Sequence, residues 1–245
     1  ELMYNLYQLK IPTLAVVHAS LKYSAKNKVV AKYIATLAFE HEPDIITTTE
    51  AQGLGKVRAV QGALGAGWVV RRKGEYMVAW RKASVYRRAA LSLTRLTRQN
   101  ALAGWRDLWV ASFPLVHRET GKRLNVEVGH LAAGVESGSA YRVAKKDAKA
   151  VLTHRRGVYQ WAKRVKAMPS GVIPVLCMDA NVDQKNGVWK QTLERRLGVR
   201  SMWSGFAPKR GTHGKRLIDT SHTPREARRA PFVSPLIPPK PIDHK

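Results

Sequence analysis

The stretch VLCMDANVD, residues 175 to 183, ends an apolar, strand-like run on Asp179 and places Asn181 two positions later. A short continuous apolar run of this kind is typical of a strand that is buried on both faces. Asp and Asn are good turn formers, so one interpretation is that the strand simply ends in a turn. The other is that the carboxylate and the amide point into an active site.

Similar apolar runs alternate with helical patterns in both directions from this stretch. Upstream, residues 106 to 131 predict a hairpin around Gly121, and residues 140 to 167 predict a long basic helix. Strands are also predicted at 12–21, at 42–50 and on both sides of the Lys73–Gly74 turn, and helices at 28–40 and 187–198. This alternation of strands and helices predicts a layered α/β or α+β fold.

The charge balance favours a polyanionic partner. The 245 residues include 43 Lys and Arg against 17 Asp and Glu, which gives a formal net charge of +26. Hydrophobic residues make up 44% of the chain, enough for the core of one domain spanning residues 1–245. Phosphate contacts make nucleic acid the first expected partner, and an anionic membrane surface the second.

The sequence gives little information about the cellular compartment. No stretch approaches the roughly 20 apolar residues that span a bilayer, and no signal peptide is visible at the start. Cys177 is the only cysteine, which excludes an internal disulfide and is consistent with a reducing compartment. Localisation is otherwise unknown.

Basic residues are concentrated on the predicted helix at 140–167 and around one short strand. A basic helix is a good surface for following a nucleic-acid backbone, although a solvated helix face is the local alternative. Acidic partners are too few to neutralise the total charge. The predicted nucleic-acid-binding residues are Arg71, Arg72, Lys145, Lys146, Lys149, Arg155, Arg156, Lys163 and Arg164.

Four acidic residues follow apolar, strand-like runs: Glu50, Asp179, Asp219 and Asp243. If those strands run the same way, the carboxylates meet at one edge of the fold. Mg²⁺ is bound by one or two carboxylates together with waters and phosphate oxygens. Any single Asp at a strand end also fits a turn or a helix cap. The set as a whole, with a His directly after Asp243, favours a site.

Five segments, in this order along the chain, resemble the endonuclease/exonuclease/phosphatase superfamily, which includes pancreatic-type deoxyribonucleases, abasic-site endonucleases and inositol-phosphate phosphatases. EPDIITTTEA resembles the strand that ends in the metal-binding Glu of that family, and RLNVEVGHL its Thr-His-Leu strand. VLCMDANVD resembles the Gly-Asp-Phe-Asn box, RLIDTSHTP the Arg-Ile-Asp-Tyr segment and PIDHK the closing Ser-Asp-His. The matching positions are Glu50, His130, Asp179, Asn181, Asp219, Asp243 and His244.

The resemblance implies a fold and a division of roles. The fold is α+β, a four-layer α/β sandwich of two packed mixed sheets flanked by helices. Glu50 would bind Mg²⁺, with Mn²⁺ as a substitute, and Asp243 would assist directly or through water.

The same resemblance assigns the remaining residues to the phosphate and the attacking water. Asp179 would position or deprotonate the water, and Asn181 would hold it and a phosphate oxygen. His244, oriented by Asp219, would act on the phosphate or the water. His130 would donate to the phosphate or the leaving group, and a satisfied strand-end histidine is the alternative for it.

Several positions depart from the family pattern. The first strand offers only His18 or Ser20 where the family has Asn. Gly129 stands in place of the Thr before the histidine. The family continues from Asp-His into a final core strand. We therefore expect either a chain truncated before that strand, whose edge a partner could complete, or a sheet that is completed in another way.

Three functions are compatible with these features. The first is a Mg²⁺-dependent endonuclease with little sequence preference, for which DNA is favoured over RNA. The second is a nucleic-acid-binding or structural subunit with weak or no catalysis. The third is an inositol-phosphate or lipid-phosphate phosphatase. The enzyme hypothesis predicts that Glu50, Asp179, Asn181, Asp219, Asp243 and His244 surround one cleft.

Overall fold

Two β-sheets form the centre of the molecule. The computed structural model describes residues 14–21, 25–97, 107–132, 147–181, 194–201 and 219–224. The first sheet has four strands in the order β1-β2-β4-β3, in which β1 and β2 are parallel and the other pairs antiparallel. Its strands are β1 (Val16–Ser20), β2 (Ile45–Thr49), β3 (Trp68–Lys73) and β4 (Tyr76–Arg81).

The second sheet has seven strands in the order β10-β11-β9-β8-β7-β5, and β6 also pairs with β7. Among the described strand pairs of this sheet, β8 and β9 are parallel and the others are antiparallel. Its strands are β5 (Val85–Arg87), β6 (Ser92–Thr97), β7 (Leu108–His117), β8 (Arg123–His130), β9 (Val172–Asp179), β10 (Val199–Ser201) and β11 (Asp219–Pro224).

In the part of the chain that the structure describes, three helices cover the outer faces of the sheets. Helices α1 (Asn27–His41) and α2 (Leu54–Leu64) pack on the first sheet, and α3 (Asp147–Lys166) packs on the second. The described helices include none that is both long enough and apolar enough to cross a membrane. Helix α3 connects the parallel strands β8 and β9, as a crossover between parallel neighbours requires.

Three separate apolar cores hold the layers together. One lies between the two sheets, one under α1 and α2, and one under α3. Strand β9 contributes side chains to two of these cores, because successive side chains point to opposite faces of the strand. Val175 and Cys177 face the first sheet, while Leu176 and Met178 face α3. A strand with apolar neighbours on both faces explains the continuous apolar run, and the four-layer α/β sandwich is confirmed.

Several boundaries differ from the sequence prediction. Helix α2 was not predicted, because LGKVRAVQGAL contains two glycines and follows a third, Gly53. Of the helix predicted at 187–198, the described part shows one helical turn at 194–197. Asp219 begins β11 instead of ending a strand. Because β11 is antiparallel to β9, Asp219 still pairs with Asp179 at the same edge.

Candidate active site

The ends of strands from both sheets meet at one edge of the sandwich. In the parallel pair of β8 and β9, His130 lies directly opposite Asp179. In the parallel pair of β1 and β2, Ser20 lies opposite Thr49, and Glu50 follows. A hydrogen bond from the Ser20 hydroxyl to the Asp179 carboxylate, at 3.4 Å, joins the two sheets. Parallel strands end together, so this edge collects polar side chains that are far apart in sequence.

His130 lies between two carboxylates. Its Nδ1 is 3.6 Å from Glu75 Oε1, and its Nε2 is 3.6 Å from Asp179 Oδ2. Burial alone lowers the pKa of His130, but the contact with Glu75 and the charges of Asp179 and Glu50 outweigh burial and raise that pKa to about 9. The imidazole is therefore protonated at neutral pH, and both of its nitrogens are donors.

Asp179 is held in place by the residues that follow it. Its Oδ1 accepts a hydrogen bond from the backbone N–H of Asn181 at 3.0 Å, which closes a tight turn. The Asn181 side chain donates to the carbonyl of Leu131 at 2.7 Å, and Leu131 N–H donates to the Asp179 carbonyl at 2.9 Å. The turn that was one interpretation of the segment from Asp179 to Asn181 is therefore present. It places the Asp179 carboxylate next to His130.

Glu50 extends the site towards α2. Its φ of 56° and the φ of 51° at Asn181 lie in the left-handed region, where non-glycine residues are uncommon. Such backbone positions cluster at functional sites. Burial lowers the pKa of Lys56 in the first turn of α2, and the charge of Glu50 partly offsets that effect. The charge of Glu50 therefore acts on both Lys56 and His130.

Glu75 is a member of the site that the sequence analysis missed. It follows Gly74 in the turn between β3 and β4, and its carbonyl accepts the N–H of Ala51 at 2.8 Å. Gln52 Nε2 donates to its carboxylate at 3.3 Å. The contact with His130 lowers the pKa of Glu75, against the effect of burial. The sequence offered one sign that Glu75 could belong to the site: it is an acidic residue in a predicted hairpin turn, in a chain with only 17 Asp and Glu.

The oxygen donors at this edge fit Mg²⁺ in chemical type, since Mg²⁺ needs only one or two protein carboxylates and otherwise binds water and phosphate oxygens. Glu50 is the carboxylate outside the pair that contacts His130. Within the described ranges, no three His, Cys, Asp or Glu side chains form a metal-binding group. The predicted second ligand, Asp243, lies outside those ranges.

The predicted catalytic and metal-binding residues thus fall into three groups. Glu50, His130, Asp179 and Asn181 come together at this edge. The backbone of Asp219 pairs with Asp179 in the β-ladder, and its side chain is not described. Asp243 and His244 lie outside the described residues.

Two departures from the family pattern have structural explanations. A Cβ on Gly129 would lie 2.6 Å from Cη2 of Trp161, so the α3 side of β8 has no room for the Thr side chain at this position. Ser20 occupies the place at the end of β1, with its hydroxyl also hydrogen-bonded to Thr49. His18 bonds instead to Thr47, and burial lowers its pKa to about 3, which leaves it neutral.

Arg164, one of the predicted nucleic-acid-binding residues, forms an ion pair with a second buried carboxylate. Its Nε is 2.7 Å from Oε1 of Glu127, a fully buried residue of β8 that faces α3. Its other nitrogens donate to Thr94 and Ser112. Ser112, Asn125 and Trp161 also donate to Glu127. This ion pair neutralises Arg164, so we leave it out of any nucleic-acid surface.

The other predicted basic residues are distributed over two faces. Arg155, Arg156 and Lys163 are exposed on α3. Arg71 and Arg72 lie on β3, at the edge of the first sheet, where each donates to a backbone carbonyl. Lys149 lies on α3 with its side chain undescribed, and Lys145 and Lys146 lie outside the described residues.

Comparison with solved structures supports the fold. No protein-family model matches the chain, and no curated protein matches it. An endonuclease/exonuclease/phosphatase family protein from Bacteroides thetaiotaomicron is similar in structure at a TM-score of 0.62 and 15% identity, over 86% of this chain and 83% of that one.

Two further solved structures have the same fold and different named activities. Sphingomyelinase C from Streptomyces griseocarneus has a TM-score of 0.62 at 15% identity, over 92% of this chain and 86% of that one. D. rerio TDP2, solved with a single-strand DNA product, has a TM-score of 0.57 at 12% identity, over 88% and 86%. At the level of the fold, the chain is therefore an endonuclease/exonuclease/phosphatase-type sandwich, as its five segments predicted.

Proposed function

We propose that this protein is a metal-dependent phosphodiester hydrolase that acts on nucleic acid, with DNA favoured over RNA. The observation behind this proposal is the position of His130, 3.6 Å from the carboxylates of both Glu75 and Asp179, at the edge of the sandwich where Glu50 also lies. These charges raise the pKa of His130 to about 9. A cation fixed by two carboxylates is suited to a phosphate group, whose negative charge increases as the phosphodiester bond breaks.

His130 acts as a donor in this scheme. Because its pKa is about 9, it carries a proton at neutral pH that it can share with a phosphate oxygen or give to the leaving oxygen. Glu75 orients the ring through Nδ1 and leaves Nε2 directed to the Asp179 side of the site. A protonated imidazole cannot accept a proton, so His130 is not the general base.

Asp179 is the residue that positions the attacking water. Its Oδ1 is fixed by the Asn181 N–H, while Oδ2 faces His130 and Ser20. A carboxylate held on one oxygen keeps the lone pairs of the other in a defined direction, as a water-positioning group must. Asn181 uses its amide nitrogen on Leu131, which fixes the turn that carries Asp179.

Glu50, with Asp243 as the proposed second ligand, would hold Mg²⁺. The chemistry that the ion supplies when bound is neutralisation of phosphate charge and polarisation of the phosphorus–oxygen bonds. In a protein of net charge +26, carboxylates gathered at one edge would otherwise repel the phosphates that the rest of the surface attracts.

The charge of the whole chain supports nucleic acid as the substrate. A small inositol phosphate or a lipid head group needs one basic pocket, whereas basic residues here occur on several elements, including β3 and α3. The similarity to D. rerio TDP2 with its single-strand DNA product agrees with this substrate class. The similarity to sphingomyelinase C keeps phosphodiester head groups as a comparison substrate.

The test is nicking of supercoiled plasmid in Mg²⁺, in Mn²⁺ and in EDTA, with the parent protein and Asp179→Ala. We expect metal-dependent nicking by the parent, which Asp179→Ala loses. Equal nicking by both proteins, or nicking that persists in EDTA, would contradict the proposal. Release of phosphate from soluble head groups without nicking would assign the site to a phosphatase instead.

A second candidate function is nucleic-acid binding without catalysis. It is favoured by Ser20 in the position where the family has Asn. For this function we expect plasmid retardation in a gel that Asp179→Ala leaves unchanged, with no nicking in either metal.

A further inference from the structure

A cationic cleft lies on the outer face of α3. It is a cavity of about 580 Å³ between α3 and the helical turn at 194–197. The six residues that line it are Tyr159, Ala162, Lys163, Lys166, Arg195 and Arg196. Four of them are cations, and the described lining includes no carboxylate. Like charges this close repel one another, so the arrangement suits an anionic ligand.

The exposed face of α3 continues the cleft towards the active-site edge. Arg155, Tyr159, Lys163 and Lys166 follow one another at helical spacing, and all four are exposed. His154, next to Arg155, is 3.0 Å from the carbonyl of Ala180, the residue after Asp179. The part of α3 around His154 therefore lies beside the residue that follows Asp179, and Lys163 lies about 14 Å beyond His154 along the helix axis.

Tyr159 adds a surface for bases. Its side chain is 56% exposed in the middle of the cations, although a large aromatic ring is normally placed in a core or an interface. An aromatic ring beside a row of basic residues is how proteins bind unpaired bases while holding the backbone phosphates. In a duplex the bases are already stacked on one another, so the ring favours a single strand.

We propose that this cleft is a second nucleic-acid site, which binds a single strand with its phosphates on Lys163, Lys166, Arg195 and Arg196 and a base on Tyr159. The site deepens the proposed function, because it would anchor the strand whose phosphodiester bond lies at the Asp179 edge. It does not include Arg164, which is turned inward to Glu127.

The experiment is binding of a fluorescein-labelled single-stranded DNA 20-mer, followed by anisotropy in EDTA over a range of NaCl concentrations. The cleft variant combines Lys163→Glu, Lys166→Glu and Arg195→Glu. The matched control combines Lys28→Glu, Lys32→Glu and Arg58→Glu, which are exposed on α1 and α2 in the opposite outer layer. The two variants have the same net charge, so a difference between them reports the location of the site.

We expect the cleft variant to bind at least tenfold more weakly than the control near 0.1 M NaCl. Loss of three phosphate contacts should also reduce the slope of log K against log salt by about 2, since each contact on a single strand contributes about 0.7. Equal affinity and equal slope for the two variants would overturn the proposal.

Substitutions of Tyr159 distinguish a cleft that stacks bases from a cleft that only attracts negative charge. Tyr159→Ala should weaken binding about fivefold or more, while Tyr159→Phe should keep it, because stacking needs the ring and not the hydroxyl. No loss in Tyr159→Ala, or equal affinity of the parent for a duplex of the same length, would overturn the single-strand assignment.

The binding measurement is independent of catalysis. In EDTA it gives its answer whether or not the parent nicks plasmid, so failure of the proposed function and failure of this proposal are distinguishable. A parallel sedimentation with phosphatidylserine vesicles covers the anionic membrane surface. Loss of vesicle binding in the cleft variant, with DNA binding kept, would assign the cleft to membranes and contradict the proposal.

Discussion

Two buried carboxylates on adjacent strands of the second sheet have opposite surroundings. Glu127 on β8 faces α3 and is fully buried, with donors from Arg164, Trp161, Ser112 and Asn125 around it. Asp179 at the end of β9 faces the first sheet, and its contacts with His130 and Ser20 are longer, at 3.6 Å and 3.4 Å.

This difference distinguishes a carboxylate with a structural role from the one that we propose to be catalytic. Glu127 is enclosed by short hydrogen bonds on the α3 face and has an arginine, which stays charged at any relevant pH, as its partner. Asp179 lies at an edge where strands end, and its partner is a histidine that can change protonation. The longer contacts of Asp179 with His130 and Ser20 leave room for a substrate between these side chains.

The largest expected effect is the loss of activity in Asp179→Asn. The amide keeps the size of the side chain and removes its charge, so water positioning and the pairing with His130 are both weakened. We expect the rate of cleavage of a labelled oligonucleotide in Mg²⁺ to fall about a thousandfold, within the range for removing a general acid or base. A loss below tenfold would mean that Asp179 is not catalytic.

Glu127→Gln is the matched substitution in the structural region. It leaves the Arg164 charge without a compensating anion, and breaking a buried ion pair costs about 3 to 5 kcal/mol. We expect a fall of this size in the free energy of unfolding, measured with urea, and unchanged cleavage per folded molecule. Unchanged stability together with lost activity would reverse the assignments of the two carboxylates.

His130 should make the stability pH-dependent. Because folding raises its pKa from 6.5 to about 9, the stabilisation is complete below about pH 6.5 and is lost as the pH rises towards 9. That shift corresponds to up to about 3 kcal/mol. Urea unfolding in EDTA at pH 6 and pH 9.5 should show this loss in the parent and little of it in His130→Gln. Parallel pH dependence in the two proteins would contradict the ion-paired imidazolium.

Gly129→Ala tests how separate the two regions are. Trp161 contacts Gly129 and also donates to Glu127, while His130 is the next residue along β8. A methyl group 2.6 Å from the indole must displace something, and overpacking costs about 1 to 3 kcal/mol. We expect a loss of stability in that range and a smaller loss of activity. A larger effect on activity than on stability would show that the α3 side positions His130.

Part of the site was predictable because it lies at the ends of long apolar runs. Asp179, Asn181 and His130 follow strands with clear patterns, and Glu50 follows β2, whose five residues are all buried. The same patterns predicted a layered α/β or α+β fold, since strands without a solvent face need a layer on each side, and the resemblance to the family implied the four-layer sandwich. The family motifs then assigned roles that periodicity alone leaves open.

Two features could not be predicted from the sequence: the place of Glu75 in the site and the ion pair between Arg164 and Glu127. Glu75 reaches His130 only because the β3–β4 turn is tied to Ala51 and the first sheet packs on the second. Arg164 and Lys163 are neighbours in sequence, but one points to buried Glu127 and the other to solvent. Both outcomes depend on packing between layers that no local pattern encodes.

The parallel pairing of β8 with β9 bears on when the proposed active site is assembled during synthesis. The bond from Asn181 to Leu131 joins residues 50 positions apart, and α3 must form and cross over before β9 can dock beside β8. Closing so long a segment is slow compared with local hairpins. An emerging chain therefore has His130 without Asp179, and we expect the nascent protein to leave nearby nucleic acid intact until folding is complete.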